Sequence, residues 1–230
     1  MKIIRFDSID STFAEAGRAA PGLGGGEYLF LAEGQTAGRG RGGNSFSSPR
    51  GNGIYATLLI IRDFGRSDTA YSFYLTSLAA VCVTRAVASV TGFDRELSVK
   101  PVNDLFFRGK KYGGILCASD VTEGSTDSVR IGFGVNLGDA PLPEVATSLC
   151  LGRAGGREVE EASERIAVLS AETMIASVTG KGPDAEVAGC RVPVLDRACV
   201  AAEYDRLCRR YTAELMSHAS RETSSFGATK

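Results

Sequence analysis

A chain of 230 residues with 43% apolar composition is long enough for one domain with a sizeable core, or for one domain and a small appendage. Its formal net charge of −1 gives no electrostatic case for a nucleic-acid or anionic-membrane partner, and no apolar run is expected to reach the ~18 residues of a membrane span. The N-terminus enters a strand pattern at once and not a signal peptide. Its six cysteines (Cys82, Cys117, Cys150, Cys190, Cys199 and Cys208) form no C-x-x-C pair, so reduced thiols in a cytoplasmic protein are expected.

Lys2–Phe6 reads as a strand, and Asp10, Ser11 and Thr12 are helix-capping residues ahead of a short helix, Phe13–Ala20. Thr12 with Glu15 fits a capping box. Pro21 and a run of glycines end that helix. Tyr28–Ala32 and Gly53–Ile61 are apolar strands. A long helix is expected from Asp68 to about Val90, with Tyr71, Leu75, Leu78, Cys82 and Ala86 as its buried stripe. Leu97–Lys100 is a short strand leading into Pro101–Asp104. Leu105–Phe107 and Tyr112–Ala118 form a hairpin turning at Arg108–Lys111, and Val129–Leu137 is a further strand. Helices follow over Ser163 to about Val178 and Asp196–Met216, ahead of a polar, frayed tail, Ser217–Lys230. No regular βα alternation is present, so the expected fold is α+β: a mixed β-sheet flanked by helices, in one domain over residues 1–216.

Between the second and third strands lies Glu33–Pro49, EGQTAGRGRGGNSFSSP, with five glycines and two arginines. Glycine lets backbone N–H groups approach a ligand closely, and arginine offers a planar donor fork for carboxylate or phosphate oxygens. The segment therefore reads as an anion-binding loop. It lacks the Gly-Lys-Ser/Thr ending of a Walker loop. His218 is the only histidine, which argues against Ser-His-Asp or Cys-His catalysis and against an ordinary zinc site.

Four polar clusters interrupt the apolar sheet sequence: Ser11-Thr12, Gln35–Arg41, Lys100–Lys111 and Gly132–Asn136. In this order they resemble the catalytic domain of biotin–protein ligases, with class II synthetase-like fold. The family's S-T-N start, Q-x-x-G-R-G-R-x-G loop, K-W-P-N-D turn, G-x-K-x-x-G-I-L hairpin and G-x-G-x-N strand stand here as STF, QTAGRGRGG, KPVND, GKKYGGIL and GFGVN. Ala146–Leu149 also matches the family's A-T-S-L segment. The likeness covers roughly residues 1–150.

The resemblance implies activation of biotin by ATP to biotinyl-5′-AMP, then transfer to a lysine of a carboxylase biotin carrier domain. ATP, Mg2+ and biotin are the expected small molecules, with no nucleic-acid or membrane partner and a homodimer possible in principle. Implied catalytic residues are Lys111, Arg39, Arg41 and Asp104, the last also a candidate for magnesium. Ser11, Thr12, Gln35, Gly38, Lys100, Gly113 and Gly114 are implied for biotin. Phe46, Asn103, Asn136, Gly132 and Gly134 are implied for the nucleotide, with Phe46 stacking on adenine and Asn136 at its edge. The chain departs from the pattern at Phe13 (for Asn), Gly42 and Asn44 (for basic residues), Phe46 (for Trp), and Pro101-Val102 (for Trp-Pro). Neither an N-terminal DNA-binding segment nor the family's C-terminal β-barrel is recognisable. The departures leave three alternatives: a weakened paralogue that binds biotin or a carrier domain without turnover, a lipoate or octanoate attachment enzyme, and RNA binding through the Arg-Gly segment.

Overall fold

Alternation along the central strands decides the architecture. In Gly53–Ile61 (β3), Ile54, Ala56, Leu58 and Ile60 belong to the main core, whereas Tyr55 and Thr57 line a cavity on the other face. In Ser125–Asn136 (β7), Val129, Ile131, Phe133 and Val135 join the same core, leaving Arg130, Gly132, Gly134 and Asn136 for the second face. A sheet built this way buries one face under helices and presents the other to a ligand.

We describe the protein from a computed structural model, which covers residues 1–66, 69–180, 186–187, 190–191 and 193–226. The other strands are β1 (Lys2–Phe6), β2 (Gly26–Ala32), β4 (Leu97–Lys100), β5 (Asp104–Phe107) and β6 (Lys110–Thr122). Seven strands form one sheet in the order β1-β2-β3-β7-β6-β5-β4. β1 pairs with β2 in parallel and every other pairing is antiparallel, so the sheet is mixed. Helices α2 (Thr69–Thr91) and α3 (Arg157–Thr179) pack on one another and supply the core side of the sheet. α4 (Arg197–Phe226) lies against β4 and α2, while α1 (Thr12–Ala19) sits on the opposite face with Tyr28, Phe30 and Leu59. A two-stranded pair, Glu186–Val187 (β8) and Cys190–Arg191 (β9), stands apart from the sheet.

Expected boundaries shift where packing, not pattern, sets them. β6 and β7 run on past the core as a ribbon to a turn at Glu123 and Gly124, both at positive φ. Polar residues such as Ser119, Asp120 and Ser125 carry that ribbon, so no apolar alternation announces it. α3 starts at Arg157, well before Ser163, because Val159 and Ala162 already reach the core. The last helix continues beyond Met216 to Phe226, where a frayed tail was expected. Asp68, the expected start of the long helix, and residues 227–230 of the tail lie outside the described residues.

The burial of α2 extends well beyond the single apolar stripe expected for it. Tyr71–Thr91 is long and apolar enough to cross a membrane by length and composition. Its apolarity has a packing cause: Leu75, Leu78, Ala79, Val81, Val83 and Val87 are all fully buried between the sheet and neighbouring helices. A helix covered on several sides has no polar face to keep.

Candidate active site

The cavity on the second face has a volume of about 330 Å³ and is walled by α1, the glycine-rich loop and strands β3, β7 and β6. Its floor is a neutral hydrogen-bond network. Ser11 caps α1, its hydroxyl accepting from the Ala14 amide at 3.4 Å, so Thr12 is the first helical residue and not the cap. Thr12 instead turns inward. Its amide donates to Gln35 Oε1 at 2.8 Å, and its hydroxyl lies 3.2 Å from the same oxygen and 3.0 Å from Thr57 Oγ1. Gln35 Nε2 donates to Ser48 Oγ at 2.8 Å. Glu15, the expected partner in a capping box, pairs with Arg18.

The loop is tied to itself. Gln35 N donates to Ser48 O at 3.1 Å, Phe46 N to Gly38 O at 2.9 Å and Gly40 N to Asn44 O at 2.7 Å. Gly38 is locked inside: a Cβ there would stand 2.3 Å from the Phe46 carbonyl oxygen. This closure leaves Arg39 and Arg41 exposed on the cavity rim, and among the described residues neither forms an ion pair.

Phe46 lies flat against β7 because Gly134 offers no side chain; a Cβ at Gly134 would meet its ring at 2.5 Å. Gly132 gives the same room to Phe13, whose ring also sits 5.2 Å from the Arg130 guanidinium carbon. Tyr55 meets Phe46 edge-on, with ring centroids 6.5 Å apart.

On the far wall, Lys111 Nζ pairs with Asp104 Oδ1 at 2.6 Å. Both side chains are only partly exposed, at 35% and 24%, so the pair is screened less than the many surface pairs. A register shift at Leu105/Phe106 skips Tyr112, so Lys111 and Gly114, three positions apart, line the same cavity. Asn103 secures the turn: its amide donates to Ile115 O at 2.8 Å and its carbonyl accepts from Ile115 N at 2.9 Å. Segment 146–149 docks alongside, with Thr147 N donating to Lys111 O at 2.7 Å.

Of the residues singled out from sequence, Ser11, Thr12, Gln35, Arg39, Arg41, Phe46, Asn103, Asp104, Lys111, Gly114, Gly132 and Gly134 meet around one cavity. Lys100, Gly38, Gly113 and Asn136 do not line it. Lys100 is exposed at the end of β4. Gly113 is packed against the Gly134 carbonyl, where a Cβ would stand at 2.5 Å. Asn136 is buried at 3% exposure and donates to Thr147 O at 3.1 Å; its amide oxygen has no hydrogen-bond partner among the described residues. Sequence reasoning missed Thr57, Tyr55 and Ser48. The signal for Thr57 and Tyr55 was their two-residue spacing within an apolar strand. Nothing marked Ser48.

A neutral floor, two rim guanidinium groups and an ammonium–carboxylate pair together suit a ligand with an uncharged polar head and anionic groups at the other end. Residues 9–136, more than half of the chain, match the model of the biotin/lipoate A/B protein ligase family. The chain belongs to this family. A biotin–[acetyl-CoA-carboxylase] ligase of Paracoccus denitrificans is 39% identical over 132 residues, which are 57% of this chain and 53% of the relative. The chain thus spans about half the length of the curated relatives it matches. Biotin protein ligase of Leishmania major in complex with biotin superposes with a TM-score of 0.61 at 22% identity, covering 90% of this chain and 81% of that one. The same protein with biotinyl-5-AMP gives 0.57 at 24% identity, covering 84% and 85%. At those identities the structures establish the family's fold.

Proposed function

We propose that the chain is a biotin–protein ligase, which activates biotin with ATP and passes the biotinyl group to a lysine of a carboxylase carrier domain. The observation that carries this reading is the meeting of Arg39, Arg41 and Lys111 over a neutral floor of Ser11, Thr12, Gln35 and Thr57. A ureido ring needs neutral donors and acceptors, and the floor supplies them. A carboxylate and a triphosphate repel each other, and the two guanidinium groups offset that repulsion.

In the first step a biotin carboxylate oxygen attacks the α-phosphorus of ATP; the bond to the β-phosphate oxygen breaks and pyrophosphate leaves. Lys111 faces the charge that develops on the α-phosphate, with Asp104 orienting its ammonium at 2.6 Å. In the second step the carrier lysine's amine attacks the acyl carbonyl, AMP leaves, and the amide forms. The nucleophile comes from the carrier, so the scarcity of histidine is no obstacle. Phe46 supplies a stacking face for adenine. Asn136, which lies outside the cavity lining, holds segment 146–149 against β7 through the Thr147 carbonyl. Asp104 is the one carboxylate lining the cavity among the described residues. Magnesium held by one carboxylate plus substrate phosphates fits that donor set, and would neutralise phosphate charge.

The test is transfer. Purified protein with ATP, magnesium and labelled biotin is expected to label a biotin carrier domain, and labelled lipoate is not. Labelling by lipoate alone would move the assignment to the other branch of the family. Tight binding of biotin without labelling would make the protein a non-catalytic binder.

A further inference from the structure

Helix α4 grips β4 at both ends. Near its start, Arg210 donates to the Leu97 carbonyl at 2.7 Å and to the Asp94 carbonyl, and Glu214 accepts from the fully buried Ser98 hydroxyl at 2.9 Å. Beyond its end, the hydroxyl of Tyr204 donates to the Val102 carbonyl at 2.6 Å. Tyr204 is 8% exposed, and its ring meets Phe73 edge-on with centroids 5.8 Å apart. Val102 belongs to the turn that replaces the family's Trp-Pro step.

That turn leads straight into the site. Asn103, the next residue, is bonded twice to Ile115 of β6, and Asp104 after it holds Lys111. The turn is therefore fixed on one side by β6 and on the other by a single side chain of α4. Tyr204 touches neither the cavity nor any residue lining it through a hydrogen bond, since Val102 is not among the lining residues.

We propose that Tyr204 is a positioning residue for the reaction: through the Val102 carbonyl, its hydroxyl sets where Asp104 presents Lys111. This rests on the ligase reading above. Loss of the hydroxyl frees the turn from α4 and leaves it held by Asn103 and by the β4–β5 pairing of Lys100 with Asp104, so that Asp104 and Lys111 shift together relative to the rim arginines. Charge stabilisation of a developing phosphate oxygen is sensitive to small displacements, whereas ligand affinity is spread over many contacts.

The experiment compares wild type, Tyr204→Phe and Glu214→Gln. Phenylalanine keeps the ring against Phe73 and removes only the hydroxyl. In biotin-dependent pyrophosphate–ATP exchange, Tyr204→Phe is expected to lower kcat about tenfold with the KM for biotin within about twofold. Glu214→Gln, which disturbs the grip far from the turn, is expected to lower Tm while leaving kcat unchanged. Deuterium uptake gives a readout independent of activity: in Tyr204→Phe the Ile115 amide, bonded to Asn103, is expected to exchange faster, with β2 and β3 unaffected. A Tyr204→Phe protein with wild-type kcat, or with unaltered exchange at Ile115, overturns the proposal. Faster uptake with equal losses of kcat in both variants also overturns it, because α4 then serves stability alone. A wild type with no biotin-dependent exchange defeats the ligase reading and with it a role for Tyr204 in that reaction, and the uptake arm still decides whether the hydroxyl holds the turn.

Discussion

Thr57 sits fully buried in the middle of an apolar strand, with its hydroxyl 3.0 Å from that of Thr12. Packing would favour valine there, which has the same shape and no polar atom to satisfy. Thr57→Val is therefore expected to fold well, because Thr12 keeps its bond to Gln35 and loses only a net ~1 kcal/mol partner. The expected effect is a KM for biotin raised by about fivefold with kcat little changed, since about 1 kcal/mol of uniform binding is lost. Steady-state kinetics over a biotin series checks it. Gly134 offers the converse case: a Cβ would lie 2.5 Å from the Phe46 ring. Gly134→Ala should push that ring off β7, costing about 1–3 kcal/mol in denaturant titration and raising the KM for ATP more than that for biotin. Individual residues were legible in the sequence where chemistry is written in type, as with Arg39, Arg41 and Lys111. They were not legible where role depends on a partner distant in the chain, as with Ser48, which is recognisable only once Gln35 reaches it.

α1 begins on two interlocked polar residues. Asp10 accepts from the Ser11 amide at 2.7 Å and from both outer nitrogens of Arg18, at 2.8 and 2.7 Å. The Arg18 guanidinium, helped by the Ser11 amide, holds the Asp10 carboxyl down at about 2. A carboxyl whose folded pKa lies below its unfolded value, near 3.9, contributes stability above about pH 4 and loses it as pH falls towards 2. Asp10→Asn should therefore flatten the fall in denaturation midpoint between about pH 4 and 2, and an identical slope in both proteins would contradict this. The contribution is small, because Arg18 and Asp10 are 51% and 41% exposed. Elements were readable from the sequence wherever burial has a period, and Leu97–Lys100 and Gly53–Ile61 emerge with the expected bounds. The β6–β7 ribbon beyond the core was unreadable because both its faces are polar. The register shift that turns Lys111 inward was unreadable for a different reason: a bulge is a relation between two strands, and Leu105–Phe107 carries no mark of it.

The molecule as a whole divides its sheet between two tasks. One face is welded to α2 and α3, and the other is left to the loop and the cavity. Cys82 lies at 2% exposure in the welded half, and burial pushes its thiol well above the usual range. Peptide-resolved alkylation at pH 8 should then modify exposed Cys150 rapidly and Cys82 only at the rate of global opening. Equal rates would mean that the helix layer opens independently of the sheet. The mixed α+β architecture was legible because strand and helix patterns are mixed without βα regularity, and the polar clusters stood out because they interrupt apolar sequence. That they share one end of the sheet emerges only from the strand order. The hydrogen bond from Tyr204 to the Val102 carbonyl was not legible, since it joins residues about a hundred positions apart and nothing in the sequence pairs them. The most direct test of the account is pyrophosphate–ATP exchange by wild type and Lys111→Ala, with and without biotin. The account predicts exchange that requires biotin and falls at least about a hundredfold in the variant, at unchanged Tm. Exchange at the wild-type rate in Lys111→Ala would contradict it.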